Sequence, residues 1–137
     1  MTGERVVIDT NVLISGLFST TSTPALAVEK AVTKAQLVAT SETLRELIET
    51  LLLPKFDRYV SRESRERLLE RVASLVDIVE VLQQVRASRD SKDDKFLEAA
   101  VNGRANVLVT GDRDLLDLNP FRGVAIVTPA DYLGRET

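Results

Sequence analysis

Histidine, cysteine and tryptophan are all missing from this 137-residue chain, and the first two absences each remove a class of chemistry. Without His or Cys there is no Ser-His-Asp triad, no thiol nucleophile and no ordinary zinc site. Acid–base and metal chemistry fall instead to Asp, Glu, Lys or Tyr, and carboxylates favour hard cations such as Mg²⁺ and Mn²⁺. A bacterial or archaeal cytoplasm is the default expectation, and a chain free of cysteine fits such a reducing compartment. No apolar run exceeds four residues, so neither a membrane span nor a signal-peptide core is expected. A surplus of positive charge is missing too. The net charge of −3 argues against a generic basic nucleic-acid binder, so a polyanionic substrate needs a local basic patch or a bound metal.

What is present suits a globular fold: 44% hydrophobic and 28% charged residues, expected to form one domain over 1–137 with a real core. Val6-Val7-Ile8 reads as a strand buried on both faces. "PALAVEKAVTKA" (Pro24–Ala35) opens on a helix-initiating proline and carries apolar residues at helical spacing. "QLVAT" (Gln36–Thr40) is a short strand, and Ser41 stands where a cap would, ahead of the helix "ETLRELIETLLL" that Pro54 ends. A charged amphipathic helix from Ser61 to Val76 turns Leu68, Leu69, Val72, Leu75 and Val76 inward. "DIVEV" (Asp77–Val81), "ANVLVTGD" and "VAIVT" (Val124–Thr128) supply three more strands. A polar loop, "RASRDSKDD", leads into the helix "KFLEAAVNG", terminated at Gly103, and a short helix starts at Pro129. This alternation predicts a three-layer α/β/α fold around a mostly parallel sheet of about five strands.

In an open parallel sheet, strand ends and the helix starts that follow them share one edge, and ligands bind there where the strand order reverses. Asp9 ends the first strand, Glu46 lies in the second turn of the helix after the second, and Asp94 in the first turn of the helix after the third. Asp112 follows "VLVT", with Asp114 close behind. The topology therefore predicts convergence of these acids at one rim. Two carboxylates about 5.5 Å apart repel by roughly 3 kcal/mol at an effective dielectric near 20. Several such pairs require protons or cations, and one or two divalent metals meet the need. Taken singly, each acid has a plainer reading. Asp9 can be a strand-end turn former, Glu46 a solvated helix residue, Asp94 the capping-box partner of Ser91 in "SKDD", and Asp112 a turn residue in "TGDRD".

"VVIDTNVLISGL", "ATSETLRELIETL", "DSKDDKFLEAAV" and "VLVTGDRDLL" resemble, in order and spacing, the sequence blocks of PIN-domain nucleases. Within that family they are most similar to the VapC type, toxins of toxin–antitoxin pairs. The resemblance runs from about Val6 to Tyr132 and is weakest from Pro54 to Val76. It implies a PIN-like, Rossmann-like sheet, with the family's first acid at Asp9 and Asn11 as a polar support. Its helix glutamate falls on Glu46, preceded by Ser41 at the position of a small hydroxyl, and its third acid on Asp94, with Asp93 adjacent. The fourth falls on Asp112, with Thr110 nearby and Asp114 able to share or take the role. The activity implied is Mg²⁺- or Mn²⁺-dependent endonucleolytic cleavage of RNA, leaving a 5′-phosphate and a 3′-hydroxyl, with the acids acting mainly as metal ligands. A cognate antitoxin and a homodimer are implied as partners.

"KFDRYVSRESRERLLER" (Lys55–Arg71) carries Lys55 and five arginines against four acids, with Phe56 and Tyr59 among the first charges. Such cations can track phosphates and such rings can stack on bases. The plainer expectation is a solvated helix face laced with ion pairs, and core contacts for the two rings. A haloacid-dehalogenase-type hydrolase would want a second Asp where Asn11 stands, and a phosphoacceptor receiver domain an acidic pair after the first strand. Neither GxGxxG nor a P-loop occurs, which removes dinucleotide and NTPase readings. Beside the toxin ribonuclease stand a housekeeping RNA-processing nuclease and a non-catalytic PIN-like module that binds RNA or protein. If Asp94 is a ligand, Asp94→Asn lowers metal affinity and spares the fold.

Overall fold

The structure, a computed structural model, describes residues 3–136. Its strands are β1 (Arg5–Ile8), β2 (Gln36–Ala39), β3 (Asp77–Ile78), β4 (Val107–Val109) and β5 (Ala125–Val127). They form one sheet in the order β3-β2-β1-β4-β5, every neighbouring pair parallel. The α-helices are α1 (Thr10–Ser15), α2 (Thr23–Lys34), α3 (Ser41–Leu51), α4 (Arg62–Leu75), α5 (Asp94–Asn102), α6 (Arg113–Leu116) and α7 (Pro129–Gly134). Among the described residues, no helix is long and apolar enough to cross a membrane.

Alternation along β1 divides the core. Val6 and Ile8 pack on one face with Val12, Ala27, Ala31, Leu47, Val72 and Tyr132, contributed by α1, α2, α3, α4 and α7. Val7 points the other way, into Phe96, Leu97, Ala99, Ala100 and Leu115 of α5 and α6. With a helical layer on each face, β1 must be apolar throughout, and Val6 and Val7 are essentially sealed from solvent. The expected three-layer α/β/α sandwich is the one observed.

The departures are local. β3 is two residues long rather than Asp77–Val81: Val79 N–H still donates to the Ala39 carbonyl at 2.8 Å, and the chain then leaves the sheet. A short edge strand presents little unpaired backbone to other chains. α3 is capped by Thr40, whose Oγ1 accepts from Thr43 N–H in a reciprocal capping box, so Ser41 sits one residue inside the helix. On α4 the inward stripe runs through Arg65, Leu68, Leu69, Val72 and Val76, whereas Leu75 is 41% exposed. Arg65 takes the first place on that stripe because its guanidinium finds partners there: Nη1 donates to the Leu51 carbonyl (2.9 Å) and Nη2 to Asp57 Oδ1 (2.7 Å). Two short helices, α1 and α6, have too few residues to show a periodic pattern in the sequence.

Gly103 closes α5 with an ordinary right-handed φ of −86°, and Arg104 after it takes the left-handed one, 53°. What Gly103 supplies is space. A Cβ there would lie 2.3 Å from Val38 Cγ1 and 2.7 Å from the Ala99 carbonyl oxygen. Val38 is buried and stiff at χ1, so it cannot swing away. Gly103→Ala is therefore expected to lower stability by about 1–3 kcal/mol, read as a lower urea midpoint at unchanged slope.

Candidate functional site

β1 is flanked by β2 on one side and β4 on the other, so the winding of the sheet reverses between β1 and β4. A crevice opens beyond the ends of these two strands, and the acids gather there. Asp9 follows β1 directly and extends its ladder, its N–H donating to the Val109 carbonyl (2.9 Å). Asp9 Oδ1 accepts from Asn11 N–H (3.1 Å), which caps α1, and Oδ2 accepts from Thr110 Oγ1–H (2.7 Å). Thr110 Oγ1 also accepts from Asp112 N–H (3.0 Å), and Asp112 Oδ1 accepts from Asp114 N–H (2.8 Å), which caps α6. One hydroxyl thus locks the end of β1 to the turn after β4.

Asp9 is 4% exposed. Burial pushes its carboxyl above the usual range; the hydrogen bonds from Thr110 and Asn11 oppose that rise, and the charges of Glu46 and Asp112 add to it. Asp93 arrives from a third direction, ending the 3-10 turn Ser91–Asp93 at the head of α5 without capping that helix by its side chain. Carboxylate oxygens of Asp93, Asp112 and Asp114 lie within 4.8 Å of one another. Asp93 Oδ2 is shut off from solvent and has no hydrogen-bond partner. The Asp93 carboxyl is pushed up to about 7, first by burial, then by a proton-sharing contact with Asp112, then by the charges of Asp112, Asp90 and Asp9.

Two cations border the cluster. Lys95 Nζ donates to Glu46 Oε1 (2.6 Å), while Thr10 Oγ1–H donates to Glu46 Oε2 (2.6 Å). Arg89, from the loop before α5, pairs with Asp114 (3.1 Å) and with Asp117.

Of the residues expected at the rim, the structure brings Asp9, Thr110, Asp112 and Asp114 together, with Glu46 beside Asp9 through Thr10 and already engaged by Lys95. Asn11 is exposed and contributes its backbone N–H; Ser41 is exposed on α3. Asp94 is not brought in. Its carboxylate turns to the preceding loop, Oδ1 accepting from Ala87 N–H (3.1 Å) and Ser88 N–H (2.8 Å). The capping box expected between Ser91 and Asp94 does not form either, because Asp90 caps the turn through Lys92 N–H (3.0 Å). Successive residues entering a helix point about 100° apart, so Asp93 and Asp94 cannot face the same partner. Asp93, Lys95 and Arg89 also stand at the crevice. Asp93 was legible only as a neighbour of the candidate, and no spacing marked Lys95 or Arg89.

The donor set is all oxygen, anionic and incompletely satisfied, which fits a hard divalent cation. The orphaned Asp93 Oδ2 is the observation that tests this fit, since a cation supplies what no protein donor does. Without a cation, the cost shows as pH dependence. The Asp93 pKa rises from 3.8 unfolded to about 7 folded, so the stability it favours is present below the unfolded value and lost as pH climbs through 7. Burial moves Asp9 in the same direction. The melting temperature in EDTA is therefore expected to fall between about pH 5 and about pH 8, and saturating Mn²⁺ to flatten or reverse the slope. Scanning fluorimetry checks this; a metal-free protein whose melting temperature holds level over that range would remove the crowded-carboxylate picture.

The family model of the PIN domain matches residues 5–114. An uncharacterized protein of Methanocaldococcus jannaschii is 32% identical over 116 residues, 83% of this chain and 74% of that protein. Among solved structures, PAE2754 from Pyrobaculum aerophilum superposes with a TM-score of 0.60 at 17% identity, covering 97% of this chain and 91% of the other. VapBC2 from Rickettsia felis, bound to a DNA fragment from its promoter, superposes with a TM-score of 0.59 at 12% identity, covering 90% and 98%. At such identities these two structures speak for the fold. The family match takes in four of the five strands and every acid at the crevice, and on that basis the chain belongs to the PIN-domain family.

Proposed function

We propose that the chain is a Mg²⁺- or Mn²⁺-dependent endoribonuclease, a PIN domain across 1–137, with Asp9, Asp93 and Asp112 as its central acids and Asp114 and Glu46 at their flanks. The observation that carries this reading is the meeting of Asp93, Asp112 and Asp114 carboxylates within 4.8 Å, with Asp93 Oδ2 buried and without a hydrogen-bond partner. A divalent cation held by these acids would polarise the scissile phosphate, ease ionisation of an attacking water and stabilise the leaving oxygen.

The chain's own groups do the rest. Asn11 N–H and Thr110 Oγ1–H fix both oxygens of Asp9 and so set its orientation, the role that outer-shell partners serve in metal sites. Hydrolysis joins a water oxygen to phosphorus and breaks the bond to the 3′ oxygen. The proton lost by water passes to a carboxylate of the cluster, and the departing oxygen takes one from solvent. Lys95 balances Glu46 and stands ready as a cation for a phosphate entering the crevice. No imidazole is needed at any point, which suits a chain without histidine. The likeness to VapBC2, bound to DNA from its promoter, supports the reading as the toxin of a toxin–antitoxin pair with an antitoxin partner, and a homodimer is proposed as its assembly.

Incubation with Mn²⁺ and a panel of RNAs tests the reading. Cleavage is expected, to be stopped by EDTA, and to fall at least about 100-fold in Asp9→Asn and in Asp93→Asn, since loss of an outer-shell partner alone costs up to that much. Asp94→Asn keeps an amide oxygen for Ala87 and Ser88 and is expected to retain most activity. Tight RNA binding with no cleavage by the unmodified protein would point to the non-catalytic module instead. Activity lost in folded Asp94→Asn and kept in Asp93→Asn would return the third acid to Asp94. Growth arrest on expression, relieved by a small co-encoded protein, separates the toxin from a housekeeping nuclease.

A further inference from the structure

The chain has four Phe and two Tyr, and three of these six rings meet at one surface position away from the acids. Phe18, just beyond α1, lies 6.2 Å from Phe56 and 6.2 Å from Tyr59, centroid to centroid, in tilted and edge-on arrangements. Rings of this size are normally buried, yet Phe18 is 50% exposed and Tyr59 66% exposed. They line an open depression whose remaining walls are Lys55 and Arg58. Lys55 Nζ sits 5.2 Å from the Phe56 ring and Arg58 Cζ 5.8 Å from that of Tyr59.

The charge around these rings is unspent. Arg62 pairs with Glu66, Arg67 with Glu63, Arg71 with Glu29, and Arg65 with Asp57, so the other arginines of this segment are neutralised internally. Lys55 and Arg58 have no ion pair among the described residues, and no acid lines the depression. Cations that contact only rings, beside rings that face water, complement a ligand that is both anionic and aromatic. A single-stranded nucleic acid is such a ligand. Phe18 lies in the turn that follows α1, the helix whose first turn Asp9 caps.

We propose that Phe18, Phe56 and Tyr59 form a stacking platform, flanked by Lys55 and Arg58, that holds unpaired bases of a single-stranded RNA on its way to the acid crevice. The proposal deepens the nuclease reading and rests on it for the choice of RNA. It selects against duplexes, whose bases are already stacked and whose rings are not available to side chains.

The chain itself provides the reporter. It lacks tryptophan, Tyr132 is fully buried, and so Tyr59 is the exposed tyrosine whose emission a stacked base would quench. A labelled oligouridylate is titrated against the full chain in EDTA, where no cleavage occurs. Quenching is expected, with affinity falling about 5- to 100-fold in Tyr59→Ala and in Phe18→Ala and largely restored in Tyr59→Trp. Lys55→Ala and Arg58→Ala are each expected to reduce the salt slope by about one. An affinity unchanged in folded Tyr59→Ala, or equal affinity for a duplex of the same length, overturns the platform. So does a Tyr59→Ala protein that loses self-association while keeping its oligonucleotide affinity, which would make the patch a protein interface. Stacking without cleavage leaves the platform standing and removes the nuclease; cleavage with unchanged binding in Tyr59→Ala does the reverse.

Discussion

Negative charge is crowded at one edge of the sheet, and the architecture around that edge is organised by how the charge is held. Asp9 comes from the end of β1, Asp93 from the head of α5, and Asp112 and Asp114 from the turn into α6. These segments are remote in sequence and cannot separate, because β1 and β4 are hydrogen-bonded neighbours and α5 is seated on them by Ala99 and Ala100, neither of which has any exposure. Two responses are open to carboxylates so placed: they keep protons, or they take up cations. The borders of the site use a protein cation where one reaches, Lys95 for Glu46 and Arg89 for Asp114. Among the described residues, the centre has no such partner.

Thr110 shows how the centre is kept in register. Its side chain has no exposure, and its one oxygen both donates to Asp9 and accepts from the backbone of Asp112. The side chain of Asp112 in turn organises the first turn of α6. Loss of the hydroxyl would leave a buried carboxylate oxygen and a backbone N–H without partners, the costly way to break a hydrogen bond. A threonine in a TGD turn therefore contributes to the site without offering a ligand.

The layers, the parallel sheet and the placement of acids at strand ends were legible because they follow from strong signals: apolar runs, periodic helices and the geometry of parallel sheets. Val6 to Ile8, Leu37 and Val38, and Val107 to Val109 are strands that could hardly be anything else. Which of Asp93 and Asp94 turns toward the crevice was not legible. A family pattern aligns residues along a string, whereas the side that a carboxylate faces depends on where the 3-10 turn ends and α5 begins, and that depends on Asp90 capping the turn. Lys95 and Arg89 were hidden for a related reason. Long cationic side chains reach partners that local spacing does not reveal, here across 49 residues to Glu46 and 28 to Asp117. The charged helix was read correctly in kind, since most of its arginines are paired. Burial of Arg65 depended on a carbonyl at the end of α3 that no pattern in α4 encodes.

An acidic nuclease faces a difficulty that this distribution of charge addresses. A polyanion approaching Asp9, Asp93 and Asp112 meets repulsion at the point where chemistry must occur, and a net charge of −3 offers no long-range attraction to offset it. Pairing the arginines of α4 with acids removes them as a general basic surface. Attraction is then confined to the few cations left over and to whatever ion the crevice takes up. On the proposed reading, cation and RNA would favour each other at the crevice: each would neutralise charge that the other would otherwise confront, and the coupling would be reciprocal by linkage. Binding of RNA to the protein without a cation should therefore be carried mainly by contacts outside the crevice, and addition of the ion should draw the strand onto the acids.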